Sequence, residues 1–172
     1  MRDSEKLPAP KNLTAITDVI GTVYAELDAN DRPILVAIVE RTLGNHYRQC
    51  ASKITSPRLR EQLLSAARHE DLNASTVVNH VPLASEHVER LKDAYPQLES
   101  QLLAALTGLS MQDQFEVLAE AERAGAHLYV AFANASNNVT YRDALLECSQ
   151  REHENAAVLD SLVAELRRSG DA

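Results

Sequence analysis

Apolar positions recur along this chain with the three-to-four residue spacing of helices rather than the alternation of strands. Leu13, Ile16, Ile20, Val23, Tyr24 and Leu27 predict an amphipathic leading helix over residues 12–28. Asp28 to Pro33 interrupts the pattern, and Pro33 suits the first turn of a helix running to Lys53. Ser56-Pro57 reads as a cap followed by proline at the first helical position, opening a helix to about Asn79. A connection from His80 to Ser110 is punctuated by Pro82 and Pro96 and carries its own stripe of Leu91, Tyr95, Leu98, Leu102 and Leu106. Ser110 caps a further helix to about Ser136, Asn137-Asn138 turns the chain, and Thr140 with Asp143 resembles a capping box for a last helix ending near Ser169-Gly170. The expectation is all-α, a single domain over 1–172. It would be a four-helix bundle of two repeated antiparallel hairpins (33–79 and 111–169), joined by a long helical crossover at 80–110 and preceded by the N-terminal helix.

The hairpins repeat in sequence. A shift of 82 positions aligns them without a gap, and 12 of the 46 positions from Val36 to Val81 are then identical. The matches include Glu40/Glu122, Tyr47/Tyr129, Glu70/Glu152 and Asn73/Asn155. Shared amphipathic patterning accounts for apolar matches, but not for two glutamate pairs, a tyrosine pair and an asparagine pair in one register.

Composition narrows the function. Five glycines, six prolines and 4% aromatics are too few for a β-sandwich or a typical α/β enzyme. A net charge of −8 argues against nucleic acid, whose phosphates need clustered Lys and Arg. Ile34 to Val39 is about the longest apolar run, far short of a membrane span, and the polar start of the chain lacks a signal-peptide apolar stretch. The expectation is a cytoplasmic protein with no membrane or nucleic-acid partner. Cys50 and Cys148 have no metal-ligand spacing and fall on apolar faces, which predicts buried thiols. The leading helix and the amphipathic crossover offer surfaces for self-association, so a homo-oligomer, a dimer or larger, is expected.

The chemistry lies in four glutamates. On a helical wheel Glu70 and Glu152 fall near the centres of their apolar faces, and Glu122 about 40° off the middle of its own. Glu40 lies at the inner edge of the Val36, Leu43, Tyr47, Ile54 stripe. Each glutamate is fifteen residues from its hairpin turn, at Thr55 or Asn137, so all four should share one level roughly 22 Å from the turns. Carboxylates gathered in a bundle interior lose solvation and repel one another. The wheel turns Arg41, Arg68, Arg123 and Arg151 outward, which leaves bound divalent cations as the simplest compensation. The alternative is a metal-free cluster in which some glutamates share protons and others reach solvent.

A Glu on each of two helices, with Glu-x-x-His on each of the other two, is the di-iron arrangement of ferritin-like bundles. Residues 33–169 resemble that superfamily, and its rubrerythrin-type members most closely. Glu40 with Tyr47 and Glu122 with Tyr129 match a Glu followed seven residues later by Tyr, and Glu70 and Glu152 match the glutamates of the two motifs. Asn73 and Asn155 stand where those motifs carry His. The resemblance implies a divalent metal, iron before manganese or zinc, held by Glu40, Glu70, Glu122 and Glu152. Asn73, Asn155, Tyr47 and Tyr129 would be weak ligands or hydrogen-bond partners of the ligands. It also implies oxygen or peroxide chemistry by a non-haem di-iron or di-manganese oxidoreductase, or metal handling. With both histidines gone, the other reading is a metal-free relic serving as a structural or protein-interaction module. His69 and His153 fall well off the inner faces and are expected at a surface or helix edge; His46, His80, His87 and His127 show no ligand spacing.

Overall fold

A computed structural model describes residues 11–169. It is all-α: seven helices, with no strand among the described residues. They are α1 (Lys11–Glu26), α2 (Arg32–Lys53), α3 (Pro57–His80), α4 (Ala84–Ala94), α5 (Leu98–Ala104), α6 (Met111–Ala135) and α7 (Val139–Ser169). The predicted helices appear within a residue or two of their expected bounds, and the crossover holds two helices, α4 and α5. Gly170, expected at the end of the last helix, lies outside the described residues.

Local chemistry fixes most of the ends. Ser56 accepts the Leu59 N–H at 3.5 Å and starts α3, and Ser110 accepts the Asp113 N–H at 3.1 Å and starts α6. Pro33 sits in the first turn of α2, where its missing N–H costs nothing. The cap of α7 differs from expectation: Asn138, not Thr140, accepts the Tyr141 N–H, at 3.1 Å. The turn residue itself supplies the acceptor, so α7 begins at Val139.

Short turns make α2–α3 and α6–α7 the two most extensive helix pairs, and α3 packs along α7 to join them. The crossover lies on α2, with both α4 and α5 against it, while α1 lies on α5 and α6. Covering α2 from both sides explains why Ile34 through Val39 are all buried. At the α1–α2 turn, buried Asp31 accepts from Arg90 at 2.5 and 2.6 Å and pairs with His87 Nδ1 at 2.5 Å, fastening α4 to the start of α2. At the far end of α3, His80 stacks on Tyr141 of α7, with ring centres 4.9 Å apart. Cys50 and Cys148 are buried free thiols, as expected. No helix among the described residues is long and apolar enough to cross a membrane.

Candidate metal centre

Glu40, Glu70, Glu122 and Glu152 come from α2, α3, α6 and α7, and each is at most 4% exposed. One carboxylate oxygen from each of Glu40, Glu70 and Glu152 lies within 4.8 Å of the other two. Glu122 is buried beside this trio but outside it, with Oε1 accepting the Tyr47 hydroxyl and Oε2 accepting from Asn155 Nδ2 at 3.4 Å. Tyr129, the counterpart of Tyr47, lowers the pKa of Glu40 from nearby, yet its hydroxyl makes no hydrogen bond of good geometry. The two halves of the site are therefore alike in composition and different in bonding.

The asparagines show which way an amide must face here. Asn73 Nδ2 donates to Glu152 Oε1 at 2.5 Å and to Glu40 Oε2 at 3.4 Å. Asn155 Nδ2 donates to Glu70 Oε1 at 2.6 Å as well as to Glu122. Their oxygens point away from the carboxylates: Asn73 Oδ1 accepts Arg151 Nε at 2.7 Å, and Asn155 Oδ1 lies 2.9 Å from His69 Nδ1. Because a guanidinium nitrogen only donates, Arg151 sets the orientation of Asn73. With Asn155 donating to Glu70 in the same way, His69 Nδ1 carries the proton toward its oxygen. Both asparagines thus donate to the carboxylates and turn their amide oxygens outward.

Arg151 corrects the expectation from the wheel. Its side chain is only 18% exposed and turns in at the α3–α7 seam, reaching Asn73 rather than solvent. Arg41 and Arg68 are exposed, and Arg123 pairs with Glu120 and Asp160 outside the centre. His69 occupies the helix edge as expected, and exposed His153 stands edge-on to His127 with ring centres 6.4 Å apart, away from the carboxylates.

Burial dominates the electrostatics. It raises Glu40 above the ordinary carboxyl value, pushes Glu122 up to about 7, and takes Glu70 and Glu152 well above it. Mutual repulsion adds to the rise at Glu70 and Glu152. Hydrogen bonds from Glu70 to Glu40 and from Glu152 to Glu122 hold the acceptor of each pair lower than its donor. All four shifts act in one direction, toward the neutral carboxyl. Burial also raises both Tyr47 and Tyr129 well above the ordinary phenol value, which favours the neutral hydroxyl that Tyr47 donates to Glu122. Among the described residues, no Lys, Arg or His forms an ion pair with any of the four glutamates.

One backbone position completes the centre. A Cβ on Gly125 of α6 would overlap Glu152 Oε2 and lie 3.3 Å from its Cδ, so the absent side chain gives this carboxylate its room. Sequence reasoning gave Gly125 no role, turned Arg151 outward, and set His69 at a surface or helix edge without its contact to Asn155. A mid-helix glycine three residues after Glu122 was the signal available for the first; the other two depend on how long side chains bend across a helix seam.

The buried carboxylate oxygens could hold a divalent cation: three converge, a fourth lies alongside, and among the described residues no Lys, Arg or His pairs with them. No family model, curated protein or solved structure matches the chain.

Proposed function

We propose that this chain is a ferritin-like four-helix bundle that binds divalent metal between its two repeated hairpins. Glu40, Glu70 and Glu152 are the ligands, and Glu122, held by Tyr47, completes the carboxylate cluster or bridges to a second ion. The observation that carries this reading is the convergence of three buried carboxylate oxygens within 4.8 Å without a protein cation to compensate them. An all-oxygen donor set suits a hard ion such as Mn(II). Fe(II), which the family resemblance implies, would use the same carboxylates. A bound redox metal would supply oxygen or peroxide chemistry at this site. The residues themselves set its charge and geometry. Asn73 and Asn155 donate to the carboxylates from two sides, Arg151 and His69 fix those amides, and Tyr47 holds Glu122.

One observation favours a second reading, a metal-free structural module. Each of the four carboxyl groups already accepts a hydrogen bond from Asn73, Asn155 or Tyr47. Elemental analysis and thermal melting of protein purified without added metal separate the two. A cation that binds only the folded state raises the melting temperature by linkage, and Glu70→Gln/Glu152→Gln should abolish that rise while stabilising the metal-free protein. Absence of stoichiometric metal, with melting curves unchanged by Mn(II), Fe(II) or Zn(II), would leave the structural module standing.

A further inference from the structure

The carboxylate centre is not sealed. A cavity of about 250 Å³ lies between α1, α2 and α6 and ends on Glu40, Glu122 and Glu152. α1 lines it with Ile16, Ile20 and Gly21, α2 with Val39 and Leu43, and α6 with Leu128. These walls are apolar, and among the described lining residues the glutamate edge and Tyr24 are the ionisable groups. Two glycines shape the space. A Cβ on Gly21 would meet nothing within 4 Å, and Gly125 leaves the gap through which Glu152 Oε2 reaches the cavity.

An apolar cavity of this size is a binding site by default. One of about 150 Å³ lined by aliphatic and aromatic side chains stays dry and takes up benzene. This cavity opens to solvent on one side, so water inside it keeps partners at the mouth but finds few along the apolar walls. Among the described lining residues there is no Lys, Arg or His to meet an anionic group, and the surface is almost wholly apolar. We propose that this cavity binds a neutral, slender apolar molecule about the size of an alkylbenzene, with its inner end against Glu40, Glu122 and Glu152. Its place beside a metal rests on the function proposed above; its capacity to bind does not.

The test uses the full chain, metal-free and Mn(II)-loaded, titrated with n-butylbenzene, 4-phenylbutylammonium and 4-phenylbutyrate while methyl NMR spectra are recorded. The neutral probe should bind both forms and shift the methyls of Ile20, Val39, Leu43 and Leu128, and the two ions should bind more weakly. Gly21→Leu fills the cavity and should weaken n-butylbenzene by more than about tenfold. Ala124→Phe covers the exposed rim, at little risk to folding, and should do the same. The proposal falls if those methyls do not move, if both variants bind like the wild type, or if an ion binds better than the neutral probe. Binding to the metal-free form alongside failure to take up Mn(II) would sink the metal reading and leave the cavity assignment intact.

Discussion

Raising the pH should weaken the metal-free protein, opposite to the behaviour of a fold held by ionised carboxylates. Glu122 illustrates the size of the effect. Burial lifts it from an ordinary 4.5 to about 7, so the folded chain holds a proton that the unfolded chain has released. A raised folded pKa means the stabilisation is complete below the unfolded value and disappears as pH climbs through the folded one. At about 1.4 kcal/mol per unit, Glu122 alone removes roughly 3 kcal/mol over that interval. For a chain of this length that is roughly 6–12 °C of melting temperature. Glu40, Glu70 and Glu152 are also raised and act with the same sign. His46 opposes them, since burial lowers its pKa and its charging weakens the fold on the acid side. Thermal melts of chelator-treated protein from about pH 5 to about pH 8 should therefore show a falling melting temperature. Glu122→Gln should flatten that slope, and saturating Mn(II) should oppose it, because metal displaces the protons. A metal-free melting temperature that is flat or rising across this range would refute the electrostatic reasoning.

The tyrosine pair should respond unequally. Tyr47→Phe leaves Glu122 Oε1 without its tyrosine donor and should cost about 1–3 kcal/mol in denaturant unfolding. Tyr129→Phe removes a hydroxyl whose contact with Glu40 is poorly aligned and should cost less than Tyr47→Phe. Gly125→Ala gains up to about 1 kcal/mol of helix propensity but pushes Glu152 aside, so Mn(II) affinity by calorimetry should fall at least about tenfold. Asn138→Ala should cost about 1 kcal/mol as a lost cap of α7, whereas Thr140→Ala should change thermal stability by only a few tenths.

Helix positions were readable because a buried face repeats every three or four residues, and a glutamate inside such a stripe stands out against it. Glu70 and Glu152 were legible for that reason. Glu40 was harder to place because α2 is covered by the crossover as well as by the other long helices, which blurs its stripe. The wheel locates a Cα, not the end of a long side chain, so Arg151 was placed in solvent when its guanidinium lies on Asn73. The separation of Glu122 from the other three depends on one hydroxyl reaching across from α2, a contact 75 positions apart in sequence. The cavity was equally hidden: it exists because α1 lies against α6 while glycines occupy positions facing it. Such details belong to packing between segments far apart in the chain. The periodicity of one segment does not contain them.

The central claim is most directly tested by anomalous diffraction from crystals of the metal-free protein soaked in Mn(II) and measured at the manganese edge. The account predicts a strong peak enclosed by the Glu40, Glu70 and Glu152 carboxylates, with Glu122 beside it, and no such peak in Glu70→Gln/Glu152→Gln crystals treated alike. No peak within the cluster at saturating Mn(II), or a peak that persists unchanged in the double variant, would contradict it.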